Sequence, residues 1–318
     1  MLKKEEQLVK EQELVSVIIP TYKRSINLTR AINSVINQDY KNIEVIVVDD
    51  NGKGSDYQLE TENRIKEYIE NKKVIYIVRD LNGGGGQARN SGLNEASGKI
   101  ITFLDDDDVY KKDKISKQVE HLNEGNDIVL CSMVVVNESG NSFYPEWSKA
   151  KGKNLNDFLI NGNAYTPMIM FRRRLFEAGG CFEKVKMLQD HIFVLNLLKI
   201  SKNINSFKYI GFEHHIHNEE RVSKNIDVNC FLNKQDKEIG LTNDEKVIAK
   251  LKRKHIKELA LVYSRKNCYF MSLKYCLKFI CGISSAKELV EGIKLSIRVI
   301  AGNKIFNFIN GFREVLLK

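Results

Sequence analysis

Residues 14–25 read Leu14-Val15-Ser16-Val17-Ile18-Ile19-Pro20-Thr21-Tyr22-Lys23-Arg24-Ser25. The first six form a short, nearly continuous apolar run that ends at a proline. A run of this kind reads as a strand buried on both faces. Leu28, Ala31, Ile32, Val35 and Ile36 then recur at helical spacing, with Ser25 placed to cap the helix. A buried strand leading straight into an amphipathic helix is the repeating unit of an α/β sheet, and the sequence on either side must decide whether it repeats.

It does. Ile43 to Val48 is a second apolar run, followed by a charged helical stretch from about Tyr57 to Glu70. Val74 to Val78 is a third run, followed by a glycine-rich turn and a short helix near Gln87 to Glu95. Ile100 to Leu104 is a fourth. Strands alternating with helices imply right-handed crossovers and a mostly parallel, Rossmann-like central sheet flanked by helices. Polar clusters follow the four runs at Thr21–Ser25, Asp49–Gly54, Asn82–Asn90 and Asp105–Asp108. Ligands of open α/β sheets bind at the carboxyl ends of the strands, so the four clusters should meet in one crevice.

Further along, Ile128–Val136 and Met168–Phe171 read as strands, and His191–Ile200 as a helix apolar on every side. From about Gly240 the pattern is helical. The 318 residues carry 50 Lys+Arg against 41 Asp+Glu, and 16 of those bases against 6 of those acids fall in residues 241–318. The remaining 240 residues are nearly balanced, so the basic excess belongs to the helical tail. Met1–Leu14 is charged and lacks the apolar core of a secretory signal, and no window is apolar enough to span a membrane. The six cysteines form no CxxC pair, which argues against a zinc site and for reduced thiols in a cytoplasmic protein.

Asp105 to Asp108 place four carboxylates side by side, and their mutual repulsion asks for a compensating cation. Oxygen-only ligands suit Mg²⁺ or Mn²⁺, which often complete their shell with substrate phosphates. A solvated acidic turn is the bland alternative. Gly83, Gly85 and Ala88 formally satisfy a GxGxxA dinucleotide fingerprint, but that motif belongs after the first strand, not the third. The glycines instead suggest close approach of backbone to a ligand, and Arg89 a contact with phosphate or carboxylate.

Together these segments resemble family 2 glycosyltransferases of the GT-A fold. The resemblance rests on Val17–Arg24, on Val47-Val48-Asp49-Asp50-Asn51, on Asn82-x-Gly84 with Ala88-Arg89-Asn90-x-Gly92, and on Phe103–Asp108 as a DxD element. It spans roughly residues 14–225, and implies a charged lead at 1–13, a catalytic domain at 14–225 and a basic helical region at 226–318. It implies an inverting transfer from a nucleotide-diphosphate sugar, with a lean to uridine, of the kind that builds bacterial surface polysaccharides. Tyr22 then falls where the family packs the nucleobase, with Pro20 and Thr21 as the pocket wall. Asp50 falls at the base edge, Arg89 near the nucleotide and Asp106 toward the ribose. Asp107 is the metal carboxylate and Asp105 a second one.

Inversion needs a base for the acceptor hydroxyl. The family places it in a Glu-Asp pair opening a helix after a Gly-Gly-Phe turn. Here Gly179-Gly180-Cys181-Phe182-Glu183 precedes Leu188-Gln189-Asp190-His191, so Asp190 is the implied base, with Gln189 departing from the pattern. Helix capping is its bland alternative. His217, followed by Arg221 and Ser223, resembles a family element closing over the diphosphate, where it would join the metal shell or touch phosphate; a solvated loop histidine is the alternative. Arg172-Arg173-Arg174 reads as mainly structural.

Two rivals remain. A nucleotidyltransferase would usually show a glycine- and base-rich loop after the first strand, and Thr21–Ser25 has no glycine. A nucleic-acid binder led by the tail lacks any recognised binding motif, so no nucleic acid is expected. Within 284–301, Ala286, Leu289, Val290, Ile293, Ile297 and Ile300 share one helical face. Such a basic amphipathic tail fits peripheral contact with the inner membrane face and a lipid-linked glycan acceptor. Packing on the catalytic domain or a second subunit is the alternative.

Overall fold

The computed structural model describes residues 12–216, 227–286 and 288–300. The chain divides into two units, Met1–Lys184 with Phe193–Asn218, and Val185–Ile192 with Glu219–Lys318. The expected boundary fell at 225/226; the segment Val185–Ile192, which carries Asp190, groups with the helical unit.

The first unit opens β1 (Val15–Thr21), α1 (Ser25–Ile36), β2 (Ile43–Asp49), α2 (Asp56–Glu70), β3 (Ile75–Val78), α3 (Gly85–Glu95) and β4 (Ile100–Phe103). It continues with β5 (Val109–Tyr110), α4 (Lys114–Asn123), β6 (Ile128–Val136), β7 (Ser142–Phe143), α5 (Leu155–Asn161), β8 (Ile169–Arg172) and α6 (Arg174–Glu177). Helix α7 runs Gln189–Ile200, and β9 runs Ile204–His215. Among the described residues one sheet runs β3-β2-β1-β4-β8-β6-β9-β5, with β7 paired to β6. The β3-β2-β1-β4 block is parallel, as are β6 and β9, while β8, β5 and β7 run the other way.

Alternation along β1 sorts the two faces. Val15, Val17 and Ile19 join the buried cluster with Leu28, Ala31, Ile32 and Val35 of α1. Ile18 points the other way, against Gly92 of α3, where a Cβ would stand 2.5 Å from its Cγ2. Glycine at 92 therefore lets α3 lie directly on β1. Ser25 is not the expected cap: Arg24 holds the cap position without a side-chain bond. Ser25 is instead the first helical residue, donating to Glu60 at 2.6 Å and accepting from Arg64 at 3.1 Å, which ties α1 to α2.

The second unit contains α8 (Val228–Gly240), α9 (Glu245–Arg265) and α10 (Tyr269–Ile280), followed by helical residues 288–300. Ala260, Cys276, Phe279, Leu295 and Val299 form its apolar core. No described helix is long and apolar enough to cross a membrane.

Candidate active site

Strand order reverses around β1 and β4, which puts the crevice at their carboxyl ends. Pro20 and Thr21 end β1 there. Buried Thr21 donates its hydroxyl to Asp106 Oδ2 at 2.8 Å, and the Tyr22 N–H reaches the same oxygen at 3.4 Å. Arg24 Nη1 lies 2.6 Å from Asp107 Oδ2 and 3.7 Å from Asp106 Oδ1. Arg30 Nη2 donates to the Asp107 carbonyl at 2.8 Å. The turn after β1 thus grips the aspartate run after β4. Tyr22 itself stays half exposed, with Lys23 Nζ 5.1 Å from its ring and 5.0 Å from that of Tyr57. Lys23 adopts a left-handed φ of 58°, an unusual state for a side-chain-bearing residue, and its N–H donates to Asn51 at 2.8 Å.

The turn after β2 meets the glycine turn in the same way. Buried Asp50 accepts from Arg79 Nη1 at 2.5 Å, Asn82 Nδ2 at 3.0 Å, Gly83 N–H at 3.0 Å and Gly84 N–H at 2.8 Å. Gly84 caps α3 with φ 83°, which a side chain would strain. Here the glycine backbone is spent on an internal carboxylate. A nucleobase edge at Asp50 would have to displace one of these donors. Arg89, on the first turns of α3, pairs with Asp105 Oδ1 at 2.5 Å and lies over the Phe182 ring at 5.7 Å. Its Nε is buried without a partner among the described residues. Asn90 exchanges two bonds with the Phe182 backbone, at 2.8 and 2.9 Å, and so pins the Gly179–Phe182 turn beside the site.

Each aspartate has its own partner. Asp105 meets Arg89, Asp106 meets Thr21, and Asp107 meets Arg24. Asp108, wholly buried, meets His214 Nδ1 at 3.1 Å and the His215 N–H at 3.0 Å. Burial and the neighbouring Asp107 charge push the Asp106 carboxyl up to about 8. Burial likewise lifts Asp108 to about 7, against the pull of His214. Burial opposes a charged His214 ring, but its bond to Asp108 outweighs that and raises its pKa. The donor set is hard oxygen, and among the described residues no three His, Cys, Asp or Glu side chains form a closed cage. An ion on Asp107 and Asp105 would draw its remaining ligands from substrate phosphates and water. Hard carboxylate oxygens suit Mg²⁺ or Mn²⁺, and such an ion would take the place that Arg24 and Arg89 hold beside Asp107 and Asp105.

Pro20, Thr21, Tyr22, Asp50, Arg89 and Asp105–Asp107 therefore lie in one unit at one set of strand ends, most of them joined by hydrogen bonds. Asp190 is the second residue of α7, half-buried, and belongs to the other unit. His217, Arg221 and Ser223 lie outside the described residues. Arg172, Arg173 and Arg174 pair with Glu13, Glu177 and Asp127, a structural use. Sequence reading singled out neither Arg24 nor His214 as the partners of Asp107 and Asp108. Charge balance was the available signal: four adjacent acids at a buried strand end require nearby cations.

The family model for "Glycosyl transferase family 2" matches residues 16–180. An uncharacterised glycosyltransferase of Rickettsia prowazekii is 30% identical over 281 residues, covering 83% of this chain and 84% of that protein. The GalNAc(5)-diNAcBac-PP-undecaprenol beta-1,3-glucosyltransferase of Campylobacter jejuni is 37% identical over 111 residues, 35% of each chain. The crystal structure of S. aureus TarS in complex with UDP-GlcNAc superposes with a TM-score of 0.61 at 20% identity, covering 90% of this chain and 81% of that one. Such low identity speaks for the fold, while the family match and the long relative speak for the chemistry. The chain belongs to glycosyl transferase family 2 and is a glycosyltransferase of the GT-A fold.

Proposed function

We propose that the protein moves a sugar, with inversion, from a nucleotide-diphosphate sugar to a hydroxyl of a glycan or lipid-linked glycan. A uridine nucleotide is the favoured donor. The observation that carries this reading is the bonded assembly of Thr21, Arg24, Asp50, Arg89 and Asp105–Asp108 at adjacent strand ends. Tyr22 offers an exposed ring for the base, walled by Pro20 and Thr21. Asp50 orders the glycine turn that frames the pocket. Asp106 faces the ribose, and Arg89 the nucleotide. Asp107, with Asp105, would hold Mg²⁺ or Mn²⁺; when bound, such an ion offsets the charge that develops on the leaving diphosphate. His217 stays a candidate for that shell or for the phosphates.

Asp190 takes the proton of the acceptor hydroxyl, whose oxygen attacks the anomeric carbon as the carbon–phosphate-oxygen bond breaks. Alignment of the two substrates supplies much of the remaining rate. The name of the Campylobacter relative supports a lipid-linked acceptor and glycan assembly. A cytoplasmic enzyme resting on the inner membrane face through 241–318 would meet such an acceptor. In a transfer assay with a panel of nucleotide sugars, Asp107→Ala and Asp190→Asn should each lose nearly all activity and keep the native circular dichroism. Full activity in either variant removes that residue's role.

A further inference from the structure

Helix α7 starts from a strained turn. Leu188, the residue before it, holds a φ of 61°, a left-handed state that a side-chain-bearing residue rarely adopts. A turn of this kind persists only where its surroundings fix it. Among the described residues, side-chain bonds within the helical unit help to do so. Gln189 Nε2 donates to the Val185 carbonyl at 2.9 Å, and the Asp227 N–H points to Met187 Sδ at 3.3 Å. Another joins His191 Nε2 to Glu238 Oε1 of α8 at 3.2 Å.

Glu238 is an anchor of unusual build. It is completely buried, yet Lys254 Nζ lies 3.0 Å away, His255 Nε2 2.7 Å and Lys234 Nζ 3.3 Å. Lys234 also meets Glu258 at 2.9 Å. Two carboxylates and two ammonium groups balance, with Glu238 and Lys234 buried and Glu258 and Lys254 partly exposed. Burial disfavours a charged His191 ring and lowers its pKa, so the ring serves as a neutral N–H donor to Glu238. Breaking such a buried network by removing one charge is expensive, which makes it a stiff platform.

We propose that His191, held through its Nε2 by Glu238, is a positioning residue that sets the orientation of the adjacent Asp190. The proposal rests on the reading of Asp190 as the base. Neighbouring residues on the first helical turn share one backbone, so fixing the imidazole fixes the backbone from which the carboxylate beside it projects. The α8–α9 pair then contributes to catalysis by templating the turn that carries the base. A rotation of that turn would leave donor binding intact and lower the chemical step alone.

The test uses the full chain and two amides of similar size. His191→Gln places a side-chain N–H near the Nε2 position, whereas His191→Asn places it near Nδ1 and too far from Glu238. Steady-state transfer should give His191→Gln a kcat within about threefold of the native enzyme. His191→Asn should lose about tenfold or more in kcat, with the donor KM unchanged. Equal kcat in the two variants, high or low, overturns the proposal, as does a loss confined to donor KM. Asp190→Asn is assayed beside them. If it stays active, the base assignment falls and the proposal with it. If it is dead while the two amides are equal, only the positioning role is lost.

Discussion

At the scale of single residues, the first unit holds a buried base that its chemistry does not require. Lys114 is fully buried, donates to Thr102 Oγ1 at 2.7 Å, and sits 3.9 Å from the Tyr110 ring centroid. It forms no ion pair among the described residues. Burial pulls its pKa down to about 7. The unfolded chain therefore binds more protons than the native one between that value and the ordinary lysine range, and stability must rise with pH across this window. Below it both states are charged and the full penalty stands. Lys114→Met should be more stable than the native protein near neutral pH, and the gap should shrink by about 1 kcal/mol per pH unit toward pH 9. Urea unfolding at several pH values checks this; a gap that widens with pH would mean that the ammonium is stabilised by something other than Thr102. Nothing in the sequence marked Lys114, because it sits among helical charges and its burial arises from tertiary packing. Thr21, Tyr22, Arg89 and the aspartates were legible, because their residue types cluster at strand ends. Arg24 and His214 were not singled out, since pairing partners depend on which turns face each other.

At the scale of elements, two glycines separate backbone strain from crowding. Gly84 has φ 83° and open space around its missing Cβ. Gly84→Ala should cost about 1–3 kcal/mol, because φ 83° with ψ 163° is a backbone region essentially confined to glycine. Gly92 lies inside α3, where alanine normally gains about 0.5–1 kcal/mol. Its Cβ would stand 2.5 Å from Ile18 Cγ2 and 3.1 Å from Val48 Cγ2. Overpacking costs about 1–3 kcal/mol, which exceeds the propensity gain, so Gly92→Ala should also destabilise. Denaturant midpoints measure both, and a Gly92→Ala protein more stable than the native would show that β1 can yield. The β1–β4 block was readable because short apolar runs alternate with helical stretches between turn residues, and the buried stretch of α7 because its apolar run is longer than those strands. Strand β9 (Ile204–His215) was not read: its apolar residues neither run together nor alternate cleanly, and charged Lys208 and Glu213 interrupt it. The two-residue strands β5 and β7 carry no periodicity, and only their partners define them. The Ser25 cap failed because its hydroxyl found Glu60 and Arg64 on α2, a competition that local sequence does not display.

At the scale of the whole molecule, the question is what the basic tail touches. The face shared by Leu289, Val290, Ile293, Ile297 and Ile300 is the exposed one, while Leu295 and Val299 turn into the core of the unit. Helix α10 repeats the arrangement: Phe270 is 81% exposed and Leu273 and Leu277 are half exposed, while Cys276 and Phe279 are buried. Lys274, Lys278 and Lys294 are exposed along the same helices. Apolar side chains that reach water between lysines match an anionic lipid surface, where each base contributes about 1 kcal/mol. The net charge of +10 in residues 241–318 points to the same partner. The full chain should therefore sediment with phosphatidylglycerol vesicles and much less with phosphatidylcholine vesicles, and salt should weaken the binding. A double change, Phe270→Glu with Ile293→Glu, should abolish sedimentation and leave transfer to a soluble acceptor intact, since neither residue belongs to the site. Equal binding to both vesicle types would make the contact purely apolar and remove the role given to the lysines. No binding to either, with a dimer in ultracentrifugation that the double change dissolves, would assign the face to a second copy of the chain.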